Sequence, residues 1–322
     1  MSTATFERMA YRRYFTDGLH PFIQLLLLAA LMLISSSVFT LLGMYLVRPL
    51  FGITALDVVV QAAMENPLMV AENAAQIHAL KTVQLMASVG MFLVPALLFA
   101  WLKFPDGDYL FLNARPSLIM AGAGTLALLL AVPAVSWLYE WNKTLQLPDA
   151  LASLQKLLDE AAHANEQLTL AFLATPRQTE LFINLIVIAL IPALGEELLF
   201  RGCIFQLLQE WTRRSHAAVW ISAALFSLVH GDLFGFLPRL IMGALLAYLF
   251  LWTSNLWVPI IAHAFYNGIQ VLLAFLFDHG WIGFDIREES RMSWPVVLVS
   301  SVICVAAVYW LNRHVEERKF IY

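Results

Sequence analysis

Residues 181–202 read LFINLIVIALIPALGEELLFRG. The first fourteen of them would pass as part of a transmembrane helix. The last eight then bring Glu196, Glu197 and Arg201 together within six positions. One charged side chain near a bilayer centre costs about 2.5–3.5 kcal/mol even on lenient insertion scales. Three of them on adjacent helical turns require a reason.

The apolar character extends outward over the whole chain. Its 322 residues are 61% hydrophobic and 13% charged, with a net charge of −4 and a mean hydropathy of +0.74. Soluble domains are nearer 45–50% apolar and about 25% charged, so the chain reads as a membrane protein with the lipid bilayer as its first partner. No basic excess points to nucleic acid. The two cysteines, Cys203 and Cys304, both lie in apolar stretches; they read as inert core thiols rather than a disulfide or a metal motif.

A helix needs roughly 20 apolar residues to cross a membrane. Such stretches fall at 22–47, 82–102, 117–139, 179–209, 216–231, 237–253, 256–277 and 293–312, of which the fifth and sixth are short. The expected fold is therefore all-α: a polytopic transmembrane helix bundle of about eight spanning helices, with a buried polar site between the fourth to seventh. Residues 50–80 and 140–178 look amphipathic and are expected to form surface or interfacial helices. The organisation read from this is residues 1–175 as N-terminal spans with interfacial segments, 176–280 as a catalytic core, and 281–322 as a last span and tail. All three belong to one integral unit. About 20 polar residues, Arg8, Arg12 and Arg13 among them, precede a first apolar run too long for a signal-peptide core, so the first helix is expected to stay.

With eight spans and the N-terminus inside, inner segments hold Arg8, Arg12, Arg13, Lys103, Arg115, Arg213, Arg214, Arg313, Arg318 and Lys319. Outer segments hold Arg48, Lys81, Lys143, Lys156, Arg177, Arg287 and Arg291. The excess on the inner side, carried by shorter loops, predicts cytoplasmic termini.

Seven strongly polar residues stand out within the apolar spans: Glu196, Glu197, Arg201, His230, Arg239, His263 and Asn267, all between 196 and 267. Intramembrane ionisable groups face a bundle interior or a wet cavity and mark function. Glu197 and Arg201 are four apart, with the acid N-terminal, so they share a face and neutralise each other. Glu196 is rotated by about 100° from Glu197 and is left to face elsewhere. Pro192 and Gly195 predict a kink or loosened turn just before the acids. His230 closes the run FSLVH, whereas His263 and Asn267, in HAFYN, again share a face. Arg239 follows Pro238 at the start of a span and reads as an interfacial anchor.

A carboxylate, two histidines and an asparagine from three helices suit activation of water. A glutamate in a low-dielectric site accepts a proton from water with a histidine's help, and a His/Asn pair offers donors to a developing oxyanion. The same residues, packed between helices, also suit plain interhelical hydrogen bonding. The chain contains no G-x-S-x-G and no H-E-x-x-H.

In order, Glu196-Glu197-x-x-x-Arg201, Phe226-x-x-x-His230 and His263-x-x-x-Asn267 resemble the CPBP family, the CAAX protease and bacteriocin-processing (ABI) family of intramembrane proteases. The resemblance covers roughly residues 180–280. It implies that Glu196, with His230, activates the attacking water, that Glu197 and Arg201 support it, and that His263 and Asn267 stabilise the oxyanion. It implies hydrolysis of peptide bonds near membranes; eukaryotic members trim the last three residues from prenylated CAAX proteins. The family has been described both as metalloproteases and as glutamate proteases without a catalytic metal. A zinc ion would fall to Glu196, His230 and His263, but these come from three separate helices without the compact histidine pair of zincins, so no cofactor is the favoured reading. The style of the sequence is bacterial, so the expected setting is a bacterial inner membrane and the expected substrate a membrane-associated peptide or protein. The rivals are a non-proteolytic scaffold or immunity protein on the same fold, and a transporter, which would show internal repeats; none is evident.

Overall fold

The structure, a computed structural model, describes residues 15–16, 18–104, 108–144, 148–287 and 292–319. No strand occurs among the described residues. Eleven helices are used below: α1 Pro21–Phe51, α2 Leu56–Glu65, α3 Pro67–Glu72, α4 Ala74–Lys103, α5 Leu118–Lys143, α6 Ala152–Leu173, α7 Gln178–Thr212, α8 Ser215–Val229, α9 Phe236–Thr253, α10 Trp257–Asp278 and α11 Trp294–Lys319.

Among the described residues, seven helices are long and apolar enough to cross a membrane: α1, α4, α5, α7, α9, α10 and α11. The eighth expected span, α8, is apolar but has only 15 residues. At 1.5 Å per residue that is about 22 Å, short of a ~30 Å hydrocarbon core. Its stop is local chemistry: Gly231, at φ 67°, takes the left-handed conformation that ends a helix. The outermost helices show the surface a bilayer requires. Leu33, Ile34, Val38 and Leu41 of α1, and Leu298, Val299, Val302 and Val305 of α11, are all exposed, which in lipid carries no penalty.

The chain runs back and forth between two ends. At the first end Lys103 Nζ bridges Gln24 Oε1 (2.8 Å) and Glu210 Oε2 (2.9 Å). Asn255 Nδ2 donates to the Ala114 carbonyl (3.0 Å), and Trp257 Nε1 to that of Leu112 (2.9 Å). At the second end Arg177 donates to the Glu72 carbonyl (2.9 Å), and Asp278 Oδ2 accepts from the Thr175 amide (2.8 Å). The segments read as amphipathic fold as the non-spanning α2, α3 and α6, except that residues 74–80 form the first turns of the spanning α4. Here α2 and α3 pack on α6 through Val59, Ala63 and Val70 against Leu168 and Phe172.

A large apolar core fills the bundle toward the first end, with Phe99 of α4, Phe200 and Phe205 of α7, Phe250 of α9 and Leu256 all buried. A second core joins α5, α9, α10 and α11 around Leu128, Leu246, Val258 and Leu311. Cys203 lies in the first and Cys304 packs against the second; both are free thiols.

One expectation needs correction. The buried polar residues are not confined to 196–267. Glu180, at the start of α7, is fully buried and accepts from Lys81 Nζ (2.6 Å), Arg177 NH2 (2.7 Å) and the His78 ring (2.9 Å). Asn184, one turn on, is also fully buried. This ionic knot ties α4 to α7 at the second end. A charge buried there is tolerable because it is paired several times over.

Candidate active site

Helix α7 is not a regular α-helix where it carries the acids. Two widened π-helical turns, Leu185–Leu190 and Phe200–Phe205, flank the α-helical stretch Ile191–Leu199. Such turns interrupt the usual ladder and recur at functional sites. The first precedes Pro192, which has no N–H to offer the Ile188 carbonyl; Asn267 Nδ2 reaches that carbonyl instead, at 3.4 Å. The loosened turn expected from Pro192 is therefore present. Gly195 has a different role: a Cβ there would lie 3.0 Å from Phe92 Cβ and 3.3 Å from the Leu93 nitrogen, so its absence lets α7 lie close against α4.

Glu197 and Arg201 pair as their spacing requires, with NH1 to Oε1 at 2.8 Å and both residues fully buried. Arg201 also donates from NH2 to the Gly243 carbonyl (2.7 Å), and its guanidinium lies 4.9 Å from the centre of the Phe226 ring. That buried cation thus has an anion, a carbonyl and a π-face around it. Glu197 Oε1 has a second partner, His263 Nδ1 at 2.9 Å. A carboxylate oxygen can only accept, so His263 carries its proton on Nδ1, and Nε2 is bare in the neutral ring. Nε2 lies 3.9 Å from Glu196 Oε2, too far for a direct hydrogen bond.

His230 sits at the end of α8, with its Nδ1 2.7 Å from the Phe226 carbonyl. The carbonyl likewise fixes the proton on Nδ1 and leaves Nε2 as the free nitrogen. The turn that follows is itself braced. Asp232 Oδ1 accepts from the Phe234 and Gly235 amides (3.0 and 3.2 Å). Arg239 donates to Asp232 Oδ2 at 2.7 Å, and Asn142 of α5 donates to the Leu233 and Phe234 carbonyls (3.1 and 2.8 Å). Arg239, read as an interfacial anchor, braces the 230–235 turn and lines the cavity.

Glu196, His230, His263 and Asn267 all line one cavity of about 1400 Å³, whereas Glu197 and Arg201 do not reach it. Its walls continue through Phe226 and Pro192 to Glu140 of α5, Thr169 and Phe172 of α6, and Asp285 and Arg287 of the loop 279–287. That loop is latched. Arg287 Nε donates to Asp285 Oδ1 (2.8 Å) and its NH2 pairs with Asp278, which also accepts from Thr175 Oγ1 (2.8 Å). Burial raises the Asp285 carboxyl, but the hydrogen bonds and charge of Arg287 outweigh it, so Asp285 ends below its ordinary value. Arg287 is raised in turn, its partners outweighing burial.

Among the described residues no three His, Cys, Asp or Glu side chains converge closely enough to hold a metal ion. Glu196, His230 and His263, the ligands a zinc ion would use, share the cavity without forming such a cluster.

Sequence reasoning missed Asn142, Asp232 and the ring of contacts that holds His230. Asp232 follows His230 almost directly and was visible; nothing local signals Asn142, which reaches its partners across about ninety positions.

With this geometry in hand, comparison places the segment. Residues 178–269 match the family described as Type II CAAX prenyl endopeptidase Rce1-like. The chain is also 37% identical over 91 residues to a Bacillus subtilis (strain 168) protein called "Putative membrane peptidase YdiL". That match covers 28% of this chain and 37% of the relative, so the chain spans little more than a third of the relative's length. No solved structure matches. The chain is an integral membrane protein, a helix bundle around a buried polar site. Its segment 178–269 is similar to the Rce1-like family and contains Glu196, Glu197, Arg201, His230, His263 and Asn267.

Proposed function

We propose that the protein is an intramembrane endopeptidase that hydrolyses a peptide bond in a membrane-associated protein or peptide, using water activated by Glu196 and His230. The observation that carries this reading is the division of the two acids. Glu196 faces the cavity with His230, His263 and Asn267, and Glu197 lies behind it, bound to Arg201 and His263. A cavity of about 1400 Å³ exceeds the ~300–1,000 Å³ that suits a small ligand and has room for a peptide.

In the proposed reaction water approaches the scissile carbonyl between Glu196 and His230. Glu196 takes its proton as general base, and His230 Nε2 accepts a hydrogen bond from it. The carbonyl oxygen, now an oxyanion, is met by Asn267 and His263. Asn267 still has one amide hydrogen beyond the bond to Ile188. His263, whose Nδ1–H is engaged by Glu197, can donate from Nε2 only as the imidazolium. Proton return from Glu196 to the leaving amine completes the cycle.

This reading uses no metal. Purified protein in proteoliposomes is expected to keep its cleavage of a candidate peptide after exhaustive chelation and to lose it in Glu196→Ala. One tightly bound zinc whose removal abolishes cleavage would overturn the metal-free mechanism, and full cleavage by Glu196→Ala would overturn the site. Terminal proteomics of cells carrying the wild type or Glu196→Ala would identify the substrate. We place the protein in a bacterial inner membrane with both termini cytoplasmic, supported by the surplus of Lys and Arg on the first end of the bundle.

A further inference from the structure

The active-site cavity has a direction. Its walls run from Glu196 and His263 to Glu140, Thr169, Asp285 and Arg287. All four of these outer residues lie at the second end, where α5 and α6 stop and Arg287 ties residues 279–287 to the end of α10 through Asp278. No described residue of the first-end loops, 104–117, 213–214 or 254–256, lines it. Between the acids and that first end stands the large apolar core, with Phe99, Phe200, Phe205, Phe250 and Leu256 at most 4% exposed. A packed core of this kind has no room for water or an extended chain. The polar rim and the ion-paired loop lie on the opposite side.

Both described termini are on the plugged side. Phe22 of α1 stacks near Trp211, and Leu311 of α11 joins the core around Met120 at the start of α5. The charge count that supports cytoplasmic termini therefore also supports a mouth on the opposite face.

We propose that the active site is reached only from the non-cytoplasmic face, and that its substrates are polypeptides presented there: exported chains, or the outer segments of other membrane proteins. The proposal rests on the proteolytic reading for the word substrate, and on the packing and charge bias for the side. The frame of the mouth, Glu140, Thr169, Phe172 and the Asp285–Arg287 loop, lies outside residues 178–269. The parts that admit a substrate are thus encoded apart from the parts that cut it.

The test uses the full chain with Cys203 and Cys304 replaced by alanine, carrying one new cysteine at a time, in right-side-out spheroplasts. Ser136→Cys and Gln270→Cys place thiols on two walls of the cavity; Lys156→Cys marks the second end and Arg213→Cys the first. A membrane-impermeant maleimide is expected to label the first three in intact spheroplasts and Arg213→Cys only after lysis. Labelling of both cavity cysteines only after lysis would overturn the proposal. So would their resistance from both sides while Lys156→Cys and Arg213→Cys report the expected faces. Labelling does not depend on turnover. If Glu196→Ala cut normally while this pattern held, the protease reading would fall and the sidedness would stand; a reversed pattern with Glu196-dependent cleavage would do the opposite.

Discussion

His263 gives its Nδ1 proton to Glu197, at 2.9 Å, and keeps only Nε2 for the cavity, 3.9 Å from Glu196. One acid of the pair therefore orients a ring and the other faces the cavity. The roles that follow can be separated by substitution.

Glu196→Gln is nearly isosteric and removes the proposed base. Cleavage is expected to fall by about 10²–10⁴-fold, with thermal stability in detergent unchanged or slightly raised, because a mostly buried carboxylate has been neutralised. A large loss of stability would mean that Glu196 holds the fold.

Arg201→Met leaves Glu197 buried without its guanidinium. Breaking a buried pair this way costs about 3–5 kcal/mol, readable as a drop in unfolding midpoint. Adding Glu197→Gln is expected to recover most of that stability and none of the cleavage, since His263 loses the carboxylate that orients its ring. Restored activity in the double variant would remove Glu197 from the mechanism.

Arg239→Ala loosens the turn that carries His230. Misplacing a catalytic group by about 1 Å costs about 10²-fold, so kcat is expected to fall by about 10–100-fold with KM little changed. Arg239→Lys, which keeps one bond to Asp232, should recover part of the loss. A change confined to KM would instead make Arg239 a substrate contact.

The Asp285–Arg287 latch carries a pH signature. Asp285 is held below its ordinary value, so its contribution is complete above the usual carboxylate range, about pH 4, and is lost as pH falls through the depressed value. Hydrogen exchange of residues 279–287 is expected to stay slow from neutral pH down to about pH 4 and to rise only in stronger acid. In Arg287→Ala the rise should begin at higher pH.

The parts of the site legible in the sequence were those with a helical period. The i, i+4 spacing of Glu197 and Arg201 and the rotation of Glu196 onto another face are properties of one helix, and both hold in the structure. The amphipathic reading of 140–178 holds for the same reason. The Glu180–Lys81 pair joins positions about a hundred apart, and the grip of Asn142 on the 230–235 turn spans nearly as many. No local pattern encodes such partners. Glu180 was also masked by its place at the mouth of an apolar run, where an acid looks like a helix start in water. The length of α8 misled in a smaller way, because His230 and Gly231 were counted into a span that Gly231 ends.

Pro192 gives the chain a local defect that serves its partner helix. Because the proline leaves the Ile188 carbonyl without its usual donor, the Asn267 amide is drawn to that oxygen at 3.4 Å, and its second hydrogen is aimed by the same bond. Pro192→Ala would mend α7, return the carbonyl to its own helix and set the amide free to rotate. On the proposed mechanism, the better helix would then cut less well.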